Sequence, residues 1–107
     1  MAYDLDLADR VRELVGGAEE RRMFGGLAFL VNGHMAVCVS GQGGLMVRVP
    51  AEETGALLGR EHVEPMVMSG REVRGWIRVA TAGISDKRRL RSWVDRGISH
   101  ARSLPPK

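Results

Sequence analysis

The sequence predicts an α+β fold: a two-layer structure in which helices pack on an antiparallel sheet, in the order α-β(3)-α-β(2)-α. Three observations predict it. Apolar residues recur at helical spacing near both ends of the chain. Between them lie short β-rich runs of alternating residues joined by tight turns, the pattern of an antiparallel sheet with helices laid against it. One of those turns is Asn32-Gly33, the strongest short hairpin signal a sequence offers, because a type I′ turn needs positive φ at both central residues.

The first helix is read from Leu7, Val11, Leu14 and Val15, which form one apolar stripe. Asp4 is its expected N-cap, Asp6 and Asp9 suit the positive end of the helix dipole, and Gly16-Gly17 is its stop. A β-meander follows. Arg21 to Val31 is expected to be one extended segment with Gly25-Gly26 as a bulge that bends it. After Asn32-Gly33, the run His34 to Ser40 returns with Met35, Val37 and Val39 on one face and Ala36 and Cys38 on the other. Gly41 to Gly44 is a loop, and Leu45 to Val49 is a third strand. Pro50 opens a short helix over Ala51 to Leu58 that Gly59 ends. Met66-Val67-Met68 is a strand, Ser69-Gly70-Arg71-Glu72 a turn, and Val73 to Ala80 the strand that pairs back. The last helix has Ser85 as expected N-cap and Asp86 in its first turn. Leu90, Trp93, Val94, Gly97, Ile98 and Ala101 are its apolar stripe.

The chain has 107 residues, 44% hydrophobic and 27% charged. That is the composition of a soluble globular protein, and the length of one domain, 1–107, with 103–107 as a short tail. A single cysteine, Cys38, excludes an internal disulfide framework and a cysteine-rich zinc site. The acidic start Asp4-Leu5-Asp6 is unlike a secretory signal, and no apolar run approaches the roughly 18 residues that span a bilayer. The expected location is the cytoplasm, with no membrane partner.

The net charge of +3 hides a division. Residues 1–70 carry 6 basic and 10 acidic side chains, whereas residues 71–107 carry 10 basic and 3 acidic ones. Such a split suits either an anionic partner or a solvated basic helix.

The motifs that carry chemistry elsewhere lack their context here. Gly25-Gly26 and Gly41-Gln42-Gly43-Gly44 both lead into strands, whereas a phosphate-cradling loop leads into a helix. Cys38 sits in an apolar alternating run, where a thiol is buried and inert. His34, His62 and His100 have no metal-ligand spacing. The pairs Glu52-Glu53 and Glu61/Glu64 read as solvated faces. No catalytic residue, metal ligand or cofactor is therefore expected.

The segment Arg74-Gly75-Trp76-Ile77-Arg78 is the best candidate for a contact surface. Strand alternation puts Arg74, Trp76 and Arg78 on one face and Val73, Ile77 and Val79 on the other, core, face. A tryptophan between guanidiniums can stack a base or grip a protein, or simply pack beneath arginine stems. Aromatic content of only 5% weighs against a single-strand nucleic-acid binder. Arg88, Arg91 and Arg102 lie off the apolar stripe of the last helix and can meet phosphates, although Asp95 interrupts their face.

The residues Arg22-Met23-Phe24-Gly25-Gly26, Phe29 with Asn32-Gly33, Leu45-Met46-Val47-Arg48-Val49, Gly75-Trp76 and Leu90 with Trp93 carry a resemblance. The chain resembles the amino-terminal domain of the TfoX/Sxy family, named for bacterial regulators of DNA-uptake competence. The resemblance implies a two-layer fold like that of type III secretion chaperones, and a non-enzymatic regulatory or adaptor role through protein contacts. The competence regulators carry a second, helical domain after this one. The chain ending at Lys107 is expected to be a single-domain relative, to which a competence role does not automatically carry over. Strands apolar on both faces, such as Leu27 to Val31, add the expectation of a homodimer, since helices cover only one face of a two-layer fold. Direct binding of nucleic acid through Trp76 and the basic carboxy-terminal third is the alternative.

Overall fold

A computed structural model describes residues 3–23 and 25–106. Six strands form one antiparallel sheet, and three α-helices accompany it. Helix α1 spans Leu5–Val15, and the meander that follows has four strands: β1 Glu19–Met23, β2 Gly26–Val31, β3 His34–Val39 and β4 Leu45–Arg48. A 3-10 turn, Ala51–Glu53, leads into the one-turn helix α2, Thr54–Leu57. Strands β5, Val63–Met68, and β6, Arg71–Val79, form a hairpin, and a second 3-10 turn at Thr81–Gly83 precedes α3, Lys87–Ser103. The strands lie in the order β1-β2-β3-β4-β6-β5. The chain thus leaves β4, crosses through α2 to the far edge, and returns along β6 to pair with β4.

The fold class is the expected one, with four local corrections. First, Arg21 to Val31 is not one bent strand. Met23 pairs with Gly26 and Glu20 with Phe29, so the chain turns back on itself at Gly25, whose φ is +73°. Isolated glycines in apolar runs suggest bulges, but here the first strand is charged (Glu19-Glu20-Arg21-Arg22) and the second apolar, which marks two strands with different burial. The meander therefore has four strands where three were expected. Second, the segment after Pro50 divides into a 3-10 turn and a single α-turn. Third, β5 begins at Val63, and the tight turn is Ser69-Gly70, with φ of +52° and +77°; Arg71 and Glu72 already belong to β6. Fourth, Asp86 caps α3, its carboxylate accepting from Arg89 N at 2.8 Å, while Ser85 hydroxyl donates to the Ala82 carbonyl instead.

Other local signals fold as their chemistry dictates. Asp4 accepts from Leu7 N at 3.1 Å and Gly16 closes α1 in the left-handed region. Asn32 and Gly33 both take positive φ, and Val31 pairs with His34 across their turn. Arg12 grips both carboxylate oxygens of Glu20, at 2.6 and 2.9 Å, and so ties the end of α1 to β1.

Helices α1 and α3 pack on one sheet face. The main core lies between them and the sheet: Leu7 and Val11 from α1, Leu90, Trp93 and Val94 from α3, and Phe29, Val37, Val47, Ile77 and Val79 from the strands. Helix α3 lies against β3 and β4, and Gly97 permits the approach, since a Cβ there would stand 2.6 Å from the Ala36 carbonyl oxygen. Ala36 is the extra residue where the β2–β3 register slips, so a β-bulge and a helical glycine meet.

Among the described residues no helix packs over the opposite face, yet its apolar side chains leave water. Ala28, Leu30, Cys38, Met46, Met66 and Trp76 form a second buried cluster, flanked by Met23, Met35 and Val73. Small residues in the middle strands, Ala28 and Cys38, let the longer methionines and Trp76 close over them. Burial that a second copy was expected to supply is thus largely achieved within one chain.

Candidate functional site

The stripe expected from Arg74, Trp76 and Arg78 does not form. Gly75 takes φ of +92°, and the β5–β6 register jumps from Pro65↔Ile77 to Val67↔Glu72. Between these pairs β6 bulges toward the segment after β4, where Gly75 N donates to Thr54 Oγ1 at 2.9 Å and Gly75 O accepts from Val49 N at 2.9 Å. The bulge breaks period-two alternation. Val73, expected on the main-core face, packs in the second cluster beside Trp76. Arg74 turns away and donates to the Ala51 carbonyl. Trp76 itself is only 8% exposed, with the Arg48 guanidinium 5.3 Å from its ring centroid. It packs beneath an arginine, but the arginine is Arg48 from the neighbouring strand rather than either sequence neighbour. Arg78 remains on this face, half-buried, and donates to the Gly43 carbonyl at 2.9 Å.

Removing Trp76 from the surface leaves two other features. One is the tip of the β5–β6 hairpin. Val67 and Met68 are 55% and 42% exposed, large apolar side chains held out on a two-residue turn. Beside them runs a groove of about 270 Å³ lined by Ser40, Gln42, Met46, Met66 and Arg78. Hydropathy marked Met66-Val67-Met68 as a strand, and nothing local distinguished its exposed residues from buried ones.

The other feature surrounds Trp93. Two guanidiniums lie over its ring, Arg60 at 4.6 Å and Arg96 at 5.6 Å from the centroid. Arg96 also reaches Glu53 at 3.3 Å, which links α3 to the turn before α2. The spacing of Trp93 and Arg96 on one helix was legible in sequence, whereas Arg60 arrives from the α2–β5 loop and no local signal foretold it. Arg88 and Arg91 are exposed on α3.

The structural motif residues divide by role. Gly25 supplies the positive φ of the first hairpin, and Gly26 is needed for space: a Cβ there would stand 2.2 Å from the Val39 carbonyl oxygen. Met23 packs against the second cluster, Asn32 and Gly33 make the next hairpin, and Phe24 lies outside the described residues. Cys38 is fully buried and its thiol is pushed up to about 11 by desolvation, against a weaker opposing effect of Arg78. Among the described residues no three His, Cys, Asp or Glu side chains gather as a metal site would need, and no helix is long and apolar enough to cross a membrane.

A single helix-backed antiparallel sheet with an apolar hairpin and an arginine-rich helix defines a small α+β domain. The family model described as TfoX N-terminal domain matches residues 9–101, and the chain belongs to that family. The family is of a regulatory type in general and is not a known enzyme family. No curated protein and no solved structure matches the chain.

Proposed function

We propose that this chain is a non-enzymatic regulatory domain that acts through protein contacts, as a homodimer, in transcription or competence-related control. The observation that supports it is the hairpin tip. Val67 and Met68 stand exposed beside the groove over Met46 and Met66, on a surface where one chain has otherwise hidden its apolar side chains. Exposed large apolar residues grouped beside a groove mark contact sites. The edge strand β5 contributes Pro65, which lacks an N–H and discourages open-ended strand addition. The opposite edge, β1, is guarded by four exposed charged residues. Light scattering at micromolar concentration tests the proposal. A mass near twice 11.7 kDa is expected for the wild type, reverting to the monomer in Val67→Glu with Met68→Glu. A wild-type monomer refutes the homodimer.

Direct nucleic-acid binding is the second reading, supported by exposed Arg88 and Arg91 on α3 rather than by Trp76. It predicts affinity that falls steeply with salt, because phosphate contacts release counterions. Failure to bind duplex or single strands at low salt refutes it.

A further inference from the structure

A cavity of about 500 Å³ opens between the α2–β5 loop and the first turns of α3, lined by Arg60, Glu61, His62, Gly83, Arg88, Arg89, Ser92 and Trp93. Three features make it more than a surface dent. Its charge is unbalanced, with three arginines against one carboxylate. Glu61 lies 3.2 Å from His62, and Arg89 Nε is held by Asp86 at 3.4 Å; Arg60 and Arg88 have no carboxylate partner among the described residues. Its wall is built rather than loose. Arg60 is laid against the Trp93 ring, which is 5% exposed. His62 is held at φ of +68°, an unfavourable conformation for a residue with a Cβ, and is fastened there by Ala80 N donating to the His62 carbonyl at 2.8 Å. Gly83 makes the room, since a Cβ there would stand 2.8 Å from His62 Cβ.

We infer that this cavity is a binding site for the phosphate groups of a small phosphorylated ligand, such as a nucleoside di- or triphosphate. Guanidinium groups donate paired, charge-assisted hydrogen bonds that match phosphate oxygens, and the volume lies within the range of small-molecule sites. A small ligand fits better than a polynucleotide. Glu61 and Asp86, with side chains 84% and 54% exposed, flank the arginines and repel a long phosphate backbone laid across the mouth. Trp93 offers no base-stacking face, because it is only 5% exposed, with Arg60 and Arg96 over its ring. The site is independent of the hairpin contact. His62 and Met68 bracket strand β5, which puts them roughly 20 Å apart at about 3.3 Å per residue.

Amide resonances of the full chain, followed during titration with pyrophosphate, with adenosine triphosphate and with a short DNA duplex, test the assignment. Saturable shifts at residues 60–62 and 88–92 are expected with pyrophosphate and with the nucleotide. Apparent affinity should fall about tenfold in Arg88→Gln and in Arg60→Gln and stay unchanged in Arg21→Gln on the far edge strand. Arg88 is exposed, so its variant remains folded and decides the matter even if loss of the Trp93 stack unfolds the other. Three results overturn the inference: no saturation by about 10 mM pyrophosphate; shifts spread evenly over Arg71, Arg91 and Arg102; or duplex binding at these residues that pyrophosphate fails to displace.

Discussion

Gly97→Ala measures how closely α3 is seated on the sheet. A Cβ at this position stands 2.6 Å from the Ala36 carbonyl oxygen and 2.8 Å from Val37 Cγ1. The nearer contact is about 0.9 Å short of the ~3.5 Å at which carbon contacts become favourable. The obstructing atom belongs to the backbone of β3, so no rotamer change relieves it. Either α3 lifts or β3 bends, and a gap of about 0.5–1 Å forfeits a quarter to a half of the dispersion attraction across the contact. Leu90, Trp93 and Val94 all share that contact. Overpacking of this kind costs about 1–3 kcal/mol, and a rigid backbone obstacle places it toward the upper end. Opposing this, alanine is favoured over glycine inside a helix by ~1 kcal/mol. The steric effect wins, with a net loss of about 1–2 kcal/mol and a Tm lower by roughly 5–15 °C. Gly55→Ala is the matched control. It lies exposed in α2 with no atom within 4 Å of an added Cβ, so the same change should stabilise slightly. Thermal and urea denaturation followed by circular dichroism compare the two. An unchanged or raised Tm in Gly97→Ala refutes the close seating, and equal shifts in both variants mean that helix propensity alone governs.

Asp86→Ala should lose about 1 kcal/mol by uncapping α3, and Ser85→Ala should stay within about 0.5 kcal/mol; chemical denaturation of both distinguishes the two candidate caps, and the reverse order would overturn the assignment. The Arg12 guanidinium holds the Glu20 carboxyl below its ordinary value, chiefly by hydrogen bonding. A carboxyl whose folded pKa is depressed contributes stability above its unfolded pKa and loses it as pH falls through the folded one. Stability measured from about pH 5 downward should therefore fall less steeply in Glu20→Gln, and identical slopes would contradict the pairing. Cys38, fully buried with its thiol pushed up to about 11, should react with a thiol reagent only at the rate of global opening. Rapid native labelling would show that the second cluster is open.

The helices and the hairpins at Asn32-Gly33 and Ser69-Gly70 were legible because their causes are local. A stripe at period 3.6, an aspartate directly before a run that a glycine ends, or a two-residue turn that needs positive φ is contained within a few neighbours. The hairpin at Gly25 was less legible: a glycine pair between a charged run and an apolar one has the same local appearance as a bulge, and only the β1–β2 register separates the two. The Arg74-Trp76-Arg78 stripe failed for a related reason. Alternation assumes continuous pairing, and Gly75 interrupts it to let its backbone bond Thr54 and Val49, partners more than twenty residues away.

The sequence by itself determined the fold class, the family and the Asn32-Gly33 turn, since these follow from periodicity, the φ demands of a two-residue hairpin, and a motif distributed over nearly the whole chain. Tertiary structure alone decided which face each chemistry-bearing residue occupies. Trp76 was withdrawn beneath Arg48 because β4 lies beside β6, and Arg60 was brought onto Trp93 because the loop before β5 returns to α3. Burial of a side chain is set by what the rest of the chain lays over it, and that depends on strand order and crossover, which no local window contains.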